Sequence, residues 1–584
     1  MTTVAVTAVA VVTAVATAAV VAAAGMADRS TGSTTVRSGR AIGAAGSAQP
    51  TASPTQDDPL VAALSEVAGG VRGRHAGGTA AGRGPWAVGA AGVLPGIAGA
   101  TMVLAVLLRD HCRGTLWASP DQFTHACYSD IPALYGSAGL SSGVLPYLET
   151  SGGQHLAQPV GTGAGLWLLS VLAPQGREEL RWAFDIAAVA LTVALVALVL
   201  AVAALARRRP WDAAMVAASP VVATAGLVSL DLAAVTLAVL SVLALAHHRP
   251  VLAGVLLGVS VATRPMAVLV LLALLLLAAR SGRWSGAAAT AGATVLTWLA
   301  VNVPVAVLSL EGWSAYWSAV WAAPVGYGSL WLLPQLVSTG LGDQSTLPQA
   351  PGWLGLSGLA LIVGVAALLA ALPAPERRRW TPRNLYLVVP VVALVVVVPA
   401  LAVRYGPAAL QWLSGHQLSG SAGRWIALVG GCLVLVAVAT FTLSVPRRPR
   451  LSVVVLLLVV GVLLVSPSIP VQASLWVLPF AVLAVPSWRD LLIWGSVEAM
   501  YATGTWLYLY GLSVDDRGLP AWLYALLTSA RVGTLLWLAW RACELSRWPQ
   551  DDPVRDPALG SDDPAAGELE DAPDVLVVPL PWSR

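Results

Sequence analysis

Long apolar segments separated by short polar ones run through most of this chain. Stretches that are almost wholly apolar begin at residues 86, 183, 211, 230, 250, 266, 285, 353, 384, 424, 451, 472, 490 and 520. Because a helix needs about 20 apolar residues to cross a bilayer, the pattern predicts an all-α, polytopic helix bundle with about 11–14 membrane helices. The stretches 250–264 and 266–280 are short, so we expect them to be tilted or broken at Pro265.

The composition agrees with a membrane protein. Hydrophobic residues make up 57% of the chain and charged residues only 11%, which is too little charge to cover a soluble surface. Arg supplies the positive charge. A nucleic-acid-binding surface would need Arg residues clustered on a soluble domain, and no such cluster is present in the sequence, so no nucleic-acid partner is expected. No glycine-rich nucleotide-binding loop is present in the sequence, which argues against an ATP-driven transporter.

The two ends of the chain differ from the apolar middle. Residues 1–85 form an N-terminal tail, in which residues 26–84 are rich in Gly, Ser, Thr and Arg and are expected to be disordered. Residues 1–25 lack a positive region and make a poor signal peptide, so they either span a membrane or reflect a misassigned start before Met26. Residues 86–545 form the transmembrane domain, and the acidic, Pro-rich residues 546–584 are expected to form a disordered cytoplasmic tail.

Arg clusters predict the orientation, because Arg-rich loops stay in the cytoplasm. One alternating path satisfies every cluster and places loops 109–182, 310–350, 403–422, 466–471 and 511–519 outside the cell. This path requires residues 161–174 to re-enter the membrane or lie in its interface. The predicted location is the cytoplasmic membrane of a bacterium, with multiple passes. The clusters assigned to the cytoplasm are at residues 207–209, 249, 280 and 283, 377–379, 447–450, 489 and 541.

The large first outer loop, 109–182, holds two cysteines and a polar stretch. Outside the cytoplasm Cys112 and Cys127 can form a disulfide, and the alternative is two free thiols. The polar stretch covers residues 125–149 and reads HACYSDIPALYGSAGLSSGVLPYLE. His111, His125 and His155 share this loop, but their spacing matches no metal template, so surface positions are expected for them.

Asp130 has the strongest claim to a chemical role in this stretch. It follows Ser129, with Tyr128, Tyr135 and Tyr147 nearby, and His125 is close enough in sequence to assist it. One interpretation makes Asp130 a catalytic base at the mouth of a membrane cavity. The other makes it a solvated acid that caps a helix starting at residues 131–132.

Two charged residues near the outer ends of apolar segments also need explanation. Asp231 begins an apolar helix, as either a first-turn acid favoured by the helix dipole or a cavity acid. Arg264 follows an apolar segment that runs toward the same outer region. Its planar guanidinium presents several N–H donors that suit a phosphate group. The alternatives for Arg264 are snorkelling to lipid headgroups or pairing with Asp231. Further along the chain, the outer segment 311–331, which includes Trp313, is rich in rings that suit either the membrane interface or a sugar.

The order and spacing of several stretches resemble glycosyltransferase family 87, within the GT-C class of membrane glycosyltransferases, and related actinobacterial integral membrane proteins. The resemblance covers most of residues 86–557. The stretches that support it are CYSDIPALYGSAGLSSGVLPY, RRRPWDAAMVAASPVV, LDLAAVTLAVLSVLALAHHRPVLAGVLLGVSVATRP, the segment from Val301 to Trp331, LWVLPFAVLAVPSWRDLLIW and DDPVRDP.

The resemblance implies transfer of a sugar, typically mannose, from a polyprenyl phosphate donor to an envelope glycolipid or glycan, with Asp130 as base. The mechanism expected here has Arg264 and Arg404 binding the donor phosphate, with inversion at the anomeric carbon. A monophosphate leaving group bound by Arg requires no metal and no other cofactor. The residues expected to contact substrate are Tyr128, His125, Tyr135, Tyr147, Asp231, Trp313 and Gln472.

This chain departs from the family pattern at several polar positions. Gln158 stands where relatives have Tyr, Arg264 replaces a Lys, and an Arg-x-x-Asp before Gly-Ser-Leu-Trp is missing. Near the C-terminus, relatives carry a Lys followed by Pro-Gln-Tyr, and of these residues this chain keeps only Gln472. These losses imply either a different acceptor or a chain without catalysis, so a lipid-linked sugar transporter and a non-catalytic scaffold remain the rival interpretations.

Overall fold

The computed structural model describes residues 87–207, 209–333, 336, 420–514, 517–555, 563–570 and 572–578. Within these ranges the secondary structure is helical, with no β-strand, so the predicted all-α polytopic bundle is confirmed. The helices are α1 Ala87–Leu107, α2 Asp110–Thr115, α3 Asp121–Thr124, α4 Asp130–Ser137, α5 Val160–Leu172, α6 Glu179–Leu205, α7 Ala214–Ala217, α8 Pro220–Ala225, α9 Asp231–Ala246, α10 Pro250–Thr263, α11 Val268–Ser281, α12 Ser285–Leu308, α13 Leu310–Ala322, α14 Gly420–Ser444, α15 Leu451–Val465, α16 Ser474–Ala484, α17 Trp488–Ser513 and α18 Ala521–Arg547.

Four described segments are long and apolar enough to cross a membrane: Glu179–Leu205, Ser285–Leu308, Ala427–Ser444 and Ala521–Arg547. Seven other described apolar helices have 10–17 residues, which is shorter than a full span. The apolar stretches that begin at 353 and 384 lie outside the described residues. The expected number of membrane helices therefore stays a prediction.

The apolar stretch from residue 211 does not form the single helix that its hydropathy suggested. It is divided into a 3₁₀ turn at Pro210–Ala213 and the short helices α7 and α8. Ser219 takes an extended conformation before Pro220 and caps α8 by accepting a hydrogen bond from the Val221 amide. The residue before a proline is disfavoured in helical geometry, which explains the break.

Residues 161–174 were predicted from the Arg pattern not to cross the membrane, and residues 161–172 of this stretch lie in α5. Its 13 residues span about 20 Å, less than the roughly 30 Å of a hydrocarbon core. One side packs against α10 and α6, while Trp167, Leu168, Val171 and Leu172 are exposed on the other. This geometry suits a helix that lies in the interface.

The most extensive helix packing joins α10 to α12. Gly254 and Gly258 are four residues apart on α10, and a Cβ at either position would overlap the backbone carbonyl of Thr290 or Thr294 on α12. Small residues at this spacing let two membrane helices approach closely. The close packing fixes the C-terminal end of α10, where Arg264 follows.

The expectation of a disordered C-terminal tail is wrong for residues 549–555, 563–570 and 572–578. Arg450 forms a buried ion pair with Asp552 at 2.8 Å, and Arg280 pairs with Asp574 at the same distance. Leu451 donates its amide hydrogen to Asp563. The acidic composition that suggested disorder instead neutralises Arg side chains that the bundle buries, because a buried cation needs a partner.

Several of the described Arg residues that the sequence assigned to the cytoplasm contact this tail. Arg207 pairs with Glu570, Arg283 donates to the Glu568 carbonyl, and Arg448 donates to the Ala572 carbonyl. Asp130, Asp231 and Arg264 form a polar site away from this tail. The site lies where the first outer loop meets the start of α9 and the C-terminal end of α10. Among the described residues, these tail-binding Arg side chains and the polar site around Asp130 thus form separate groups.

Candidate active site

Local sequence places Asp130 at the first position of α4 without using its carboxylate as a cap. Ser129 is the N-cap, and its hydroxyl oxygen accepts a hydrogen bond from the Ile131 amide. The Ser129 hydroxyl also donates to the Leu227 carbonyl, and the Asp130 amide donates to the Val228 carbonyl at 2.7 Å. The carboxylate of Asp130 therefore remains available for other contacts, and the outer loop is fixed against the segment that leads to Asp231.

Two neutral donors contact the Asp130 carboxylate. Gln472 donates from Nε2 to Oδ2 at 3.1 Å, and the Tyr128 hydroxyl hydrogen-bonds to the same group. Burial raises the pKa of the Asp130 carboxyl to about 6 and the charge of Asp231 adds to the rise, while Tyr128, Arg264 and Gln472 oppose it. A carboxyl with a pKa close to neutral is suited to accept a proton from a substrate.

Arg264 occupies the break that the sequence predicted at Pro265. The residue is extended, with φ −146° and ψ 114°, between the end of α10 and the 3₁₀ turn Pro265–Ala267. Its Nε donates to Asp231 Oδ2 at 2.8 Å and its Nη1 donates to Gln158 Oε1 at 3.0 Å. Among the described residues Nη2 has no hydrogen-bond partner, so this nitrogen can bind an oxygen of a ligand.

Asp231 fixes the direction of Arg264. Its Oδ2 accepts hydrogen bonds from the Ser229 hydroxyl at 2.6 Å and from Arg264, and its Oδ1 accepts one from Trp476 Nε1 at 3.0 Å. The side chain is buried. Of the alternatives left open by sequence, the structure shows the pair with Arg264, so Asp231 lies behind the guanidinium and supports it.

Gln158, which departs from the family pattern, accepts a hydrogen bond from Arg264 in the site. Tyr147 is buried and donates from its hydroxyl to the Pro159 carbonyl at 2.7 Å and to the Gln158 carbonyl at 3.1 Å. These bonds support the segment that presents Gln158 to Arg264. Tyr147 therefore contributes to the site by holding a neighbouring backbone segment.

The site also includes aromatic residues that were not named as candidates from the sequence. Tyr316 on α13 is half-buried and close enough to Arg264 and Asp231 to interact with both electrostatically. It lies in the aromatic outer segment 311–331, in which only Trp313 was singled out. The available signal was the helical spacing of three residues between these two rings, which leaves both near one face of the helix.

The other residues expected to contact substrate form contacts within the protein. Trp313 donates from Nε1 to Asn302 Oδ1 at 3.1 Å. Tyr135 is buried and donates to Glu179 at the start of α6. His125 is exposed and interacts with Asp121 and with the ring of His111. Arg404 lies outside the described residues, so its proposed contact with phosphate stays a prediction.

Cys112 and Cys127 form a disulfide with a Cα–Cα distance of 5.9 Å. Both residues are fully buried, and the Trp117 ring between them in sequence donates from Nε1 to the Cys127 carbonyl. The bridge closes a loop of 15 residues just before Tyr128 and Asp130. It thus limits the motion of the segment that carries the site.

We predict that the double substitution Cys112→Ser, Cys127→Ser lowers the free energy of unfolding by about 2–4 kcal/mol, since the bridge restricts the unfolded chain. The measurement is denaturant unfolding of the detergent-solubilised protein, followed by tryptophan fluorescence. Cys432→Ser is the matched control, because Cys432 is a free, exposed cysteine. Equal midpoints for the double variant and the wild type would contradict a stabilising role for the bridge.

Comparison with known proteins places this site in a family context. The family model described as glycosyltransferase family 87 matches residues 164–400. The match indicates a membrane glycosyltransferase and confirms the resemblance seen in the sequence. It includes Asp231, Arg264 and Tyr316, whereas Asp130 precedes the matched segment and Gln472 follows it. A comparison with curated proteins finds no match.

Proposed function

We propose that this protein transfers a sugar, mannose in the first instance, from a polyprenyl phosphate donor to an envelope glycolipid or glycan on the outer side of the cytoplasmic membrane. In this proposal the chain crosses the membrane several times and the donor enters the site laterally from the lipid. Nucleic acid has no part in this function.

The observation that supports the proposal most is the arrangement of Asp130 and Arg264. The carboxylate of Asp130 and the guanidinium of Arg264 interact electrostatically across one site, although they come from segments more than a hundred residues apart. The guanidinium is oriented from behind by Asp231 and Gln158. This nearness of a proton acceptor to an oriented group that can bind anions supports the proposal, because displacement of a phosphate uses such a pair.

The proposed reaction is a single displacement. The Asp130 carboxylate accepts the proton of an acceptor hydroxyl as its oxygen forms a bond to the anomeric carbon. The bond from that carbon to the phosphate oxygen breaks, its electron pair stays on the phosphate, and the configuration inverts. Arg264 stabilises the additional negative charge on the departing polyprenyl phosphate through Nη2.

The remaining polar groups have supporting roles in this mechanism. Tyr128 and Gln472 donate to Asp130 and so fix the carboxylate while leaving a lone pair for the acceptor. Tyr316 interacts electrostatically with Arg264, and in this mechanism it contacts the phosphate or the sugar. The charge of the leaving group is matched by Arg264, so the proposed chemistry does not call for a metal ion at Asp130.

The experiment is transfer by the purified protein in lipid nanodiscs, with extracted envelope glycolipids as acceptors. Labelled polyprenyl phosphate mannose and polyprenyl phosphate glucose are compared with labelled GDP-mannose. We expect transfer from a polyprenyl phosphate sugar and none from the nucleotide sugar. Transfer only from GDP-mannose would overturn the proposal. Passage of an intact lipid-linked sugar across a bilayer without transfer would overturn it in favour of a transporter.

A further inference from the structure

Three metal-ligating side chains come together in the first outer loop, away from Asp130. His111 Nε2 lies 2.6 Å from Asp121 Oδ2, and His125 Nδ1 lies 3.1 Å from Asp121 Oδ1. The two imidazole rings are stacked, with centroids 3.6 Å apart and an interplanar angle of 19°. One potential ligand atom from each residue falls within 4.8 Å of the other two.

The fold brings these residues together through the disulfide. His111 precedes Cys112 on α2, and His125 directly follows the short helix α3, two residues before Cys127. The Cα atoms of the two cysteines are 5.9 Å apart, so the bridge holds the two histidines side by side. Spacing along the sequence gave no sign of this cluster, because no helix or strand relates residues 111 and 125.

We propose that His111, Asp121 and His125 form a binding site for a divalent transition-metal ion, of which Zn²⁺ is the best match. Two imidazoles and one carboxylate suit Zn²⁺, whereas Ca²⁺ and Mg²⁺ prefer sites built from oxygen atoms. In a tetrahedral zinc site neighbouring ligand atoms are about 3.3 Å apart, a value set by bonds of roughly 2.0–2.1 Å. The observed separations of 2.6 Å and 3.1 Å between the imidazole nitrogens and the carboxylate oxygens lie close to that value.

The two rings are arranged around a single carboxylate. His111 Nε2 and His125 Nδ1 are both directed at Asp121, and the two rings are stacked side by side. A cation bound at this point would meet one imidazole nitrogen from each ring and an oxygen of the carboxylate. Three protein ligands leave at least one coordination position for water or another ligand.

The position of the site connects it to the segment that carries Asp130. Phe123 on α3 stacks near Tyr128, and Tyr128 packs against Trp506 on α17. A metal ion at the site therefore ties the disulfide loop more firmly to the bundle at a point five residues before Asp130. The proposal concerns binding by the loop and does not depend on the transfer reaction.

The test is metal binding by the full chain, purified with a histidine-free tag, treated with chelator and placed in detergent. Zn²⁺ is titrated in competition with a chromophoric indicator, and Co²⁺ is added separately for its visible absorption. We expect one Zn²⁺ per chain with a dissociation constant of micromolar or below. His111→Ala and His125→Ala should each weaken binding at least about tenfold, since loss even of an outer-shell partner costs that much.

His155→Ala is the matched control, because His155 lies in the same outer loop and outside the cluster. It should bind Zn²⁺ as the wild type does, and a tetrahedral Co²⁺ spectrum should be lost only in the cluster variants. Unchanged melting temperatures show that the variants are folded. The proposal is overturned if the wild type binds no Zn²⁺ at micromolar concentrations, if the cluster variants bind normally, or if His155→Ala weakens binding equally.

Discussion

Replacement of Asp130 by Asn is expected to reduce sugar transfer by about 10²–10⁴-fold, because general-base assistance of this size is lost. Asn has nearly the same shape and can keep the contacts with Tyr128 and Gln472, so positioning should survive while proton acceptance does not. The measurement is the initial rate of transfer from labelled polyprenyl phosphate mannose in nanodiscs. Glu149→Gln, which neutralises an exposed acid of the same loop, is the matched control and should leave the rate unchanged.

The same variant separates a catalytic role from a structural one. The pKa of the Asp130 carboxyl is raised in the folded protein by burial, so the folded state holds its proton more tightly than the unfolded chain does. The ionised carboxylate therefore disfavours folding increasingly as pH rises from about 4 to 6, and fully above that range. Asp130→Asn should accordingly unfold at the same temperature as the wild type or a higher one at pH 7.5. A lower melting temperature together with lost transfer would contradict the catalytic role.

Replacement of Arg264 by Gln is expected to lower the transfer rate by about 10²–10³-fold, because a group that stabilises developing charge is removed. The variant should also be less stable by about 3–5 kcal/mol, since it leaves the buried carboxylate of Asp231 without its cation. Transfer is measured with the donor of the previous assay, and stability is measured by denaturant unfolding.

The double variant Arg264→Gln, Asp231→Asn resolves these two effects. Removal of both charges should restore most of the lost stability, as paired buried charges are replaced by neutral groups. Transfer should stay low, because no guanidinium faces the donor phosphate. Recovery of both stability and transfer in the double variant would show that the Arg264–Asp231 pair serves only folding.

The helices and the break beside Pro265 could be predicted from the sequence because both have local physical causes. Apolar stretches of membrane length indicate helices directly, because backbone groups in lipid must hydrogen-bond within their own segment. The break beside Pro265 followed from the steric effect of proline on the preceding residue, and it is this break that places Arg264. Asp130 stood out because an acid after an apolar span has few ordinary explanations.

The parts that sequence reasoning missed depend on contacts between distant segments. The hydrogen bond from Trp476 to Asp231 joins residues 245 positions apart, and no local periodicity predicts it. From the sequence alone, Tyr316 could not be distinguished from the other aromatic residues expected at the membrane interface. Its nearness to Arg264 is visible only in the folded structure. The acidic tail looked disordered because its composition was considered without Arg280 and Arg450, which bind it.

The pH dependence of transfer tests the central claim most directly, because that claim requires an ionised Asp130 opposite Arg264. The pKa of the Asp130 carboxyl is about 6, so the base is lost as pH falls through that value. We expect kcat/KM for wild-type transfer to be constant above about pH 7 and to fall roughly tenfold per pH unit below about 6. A profile that stays flat between pH 5 and pH 7.5 would contradict Asp130 as the base.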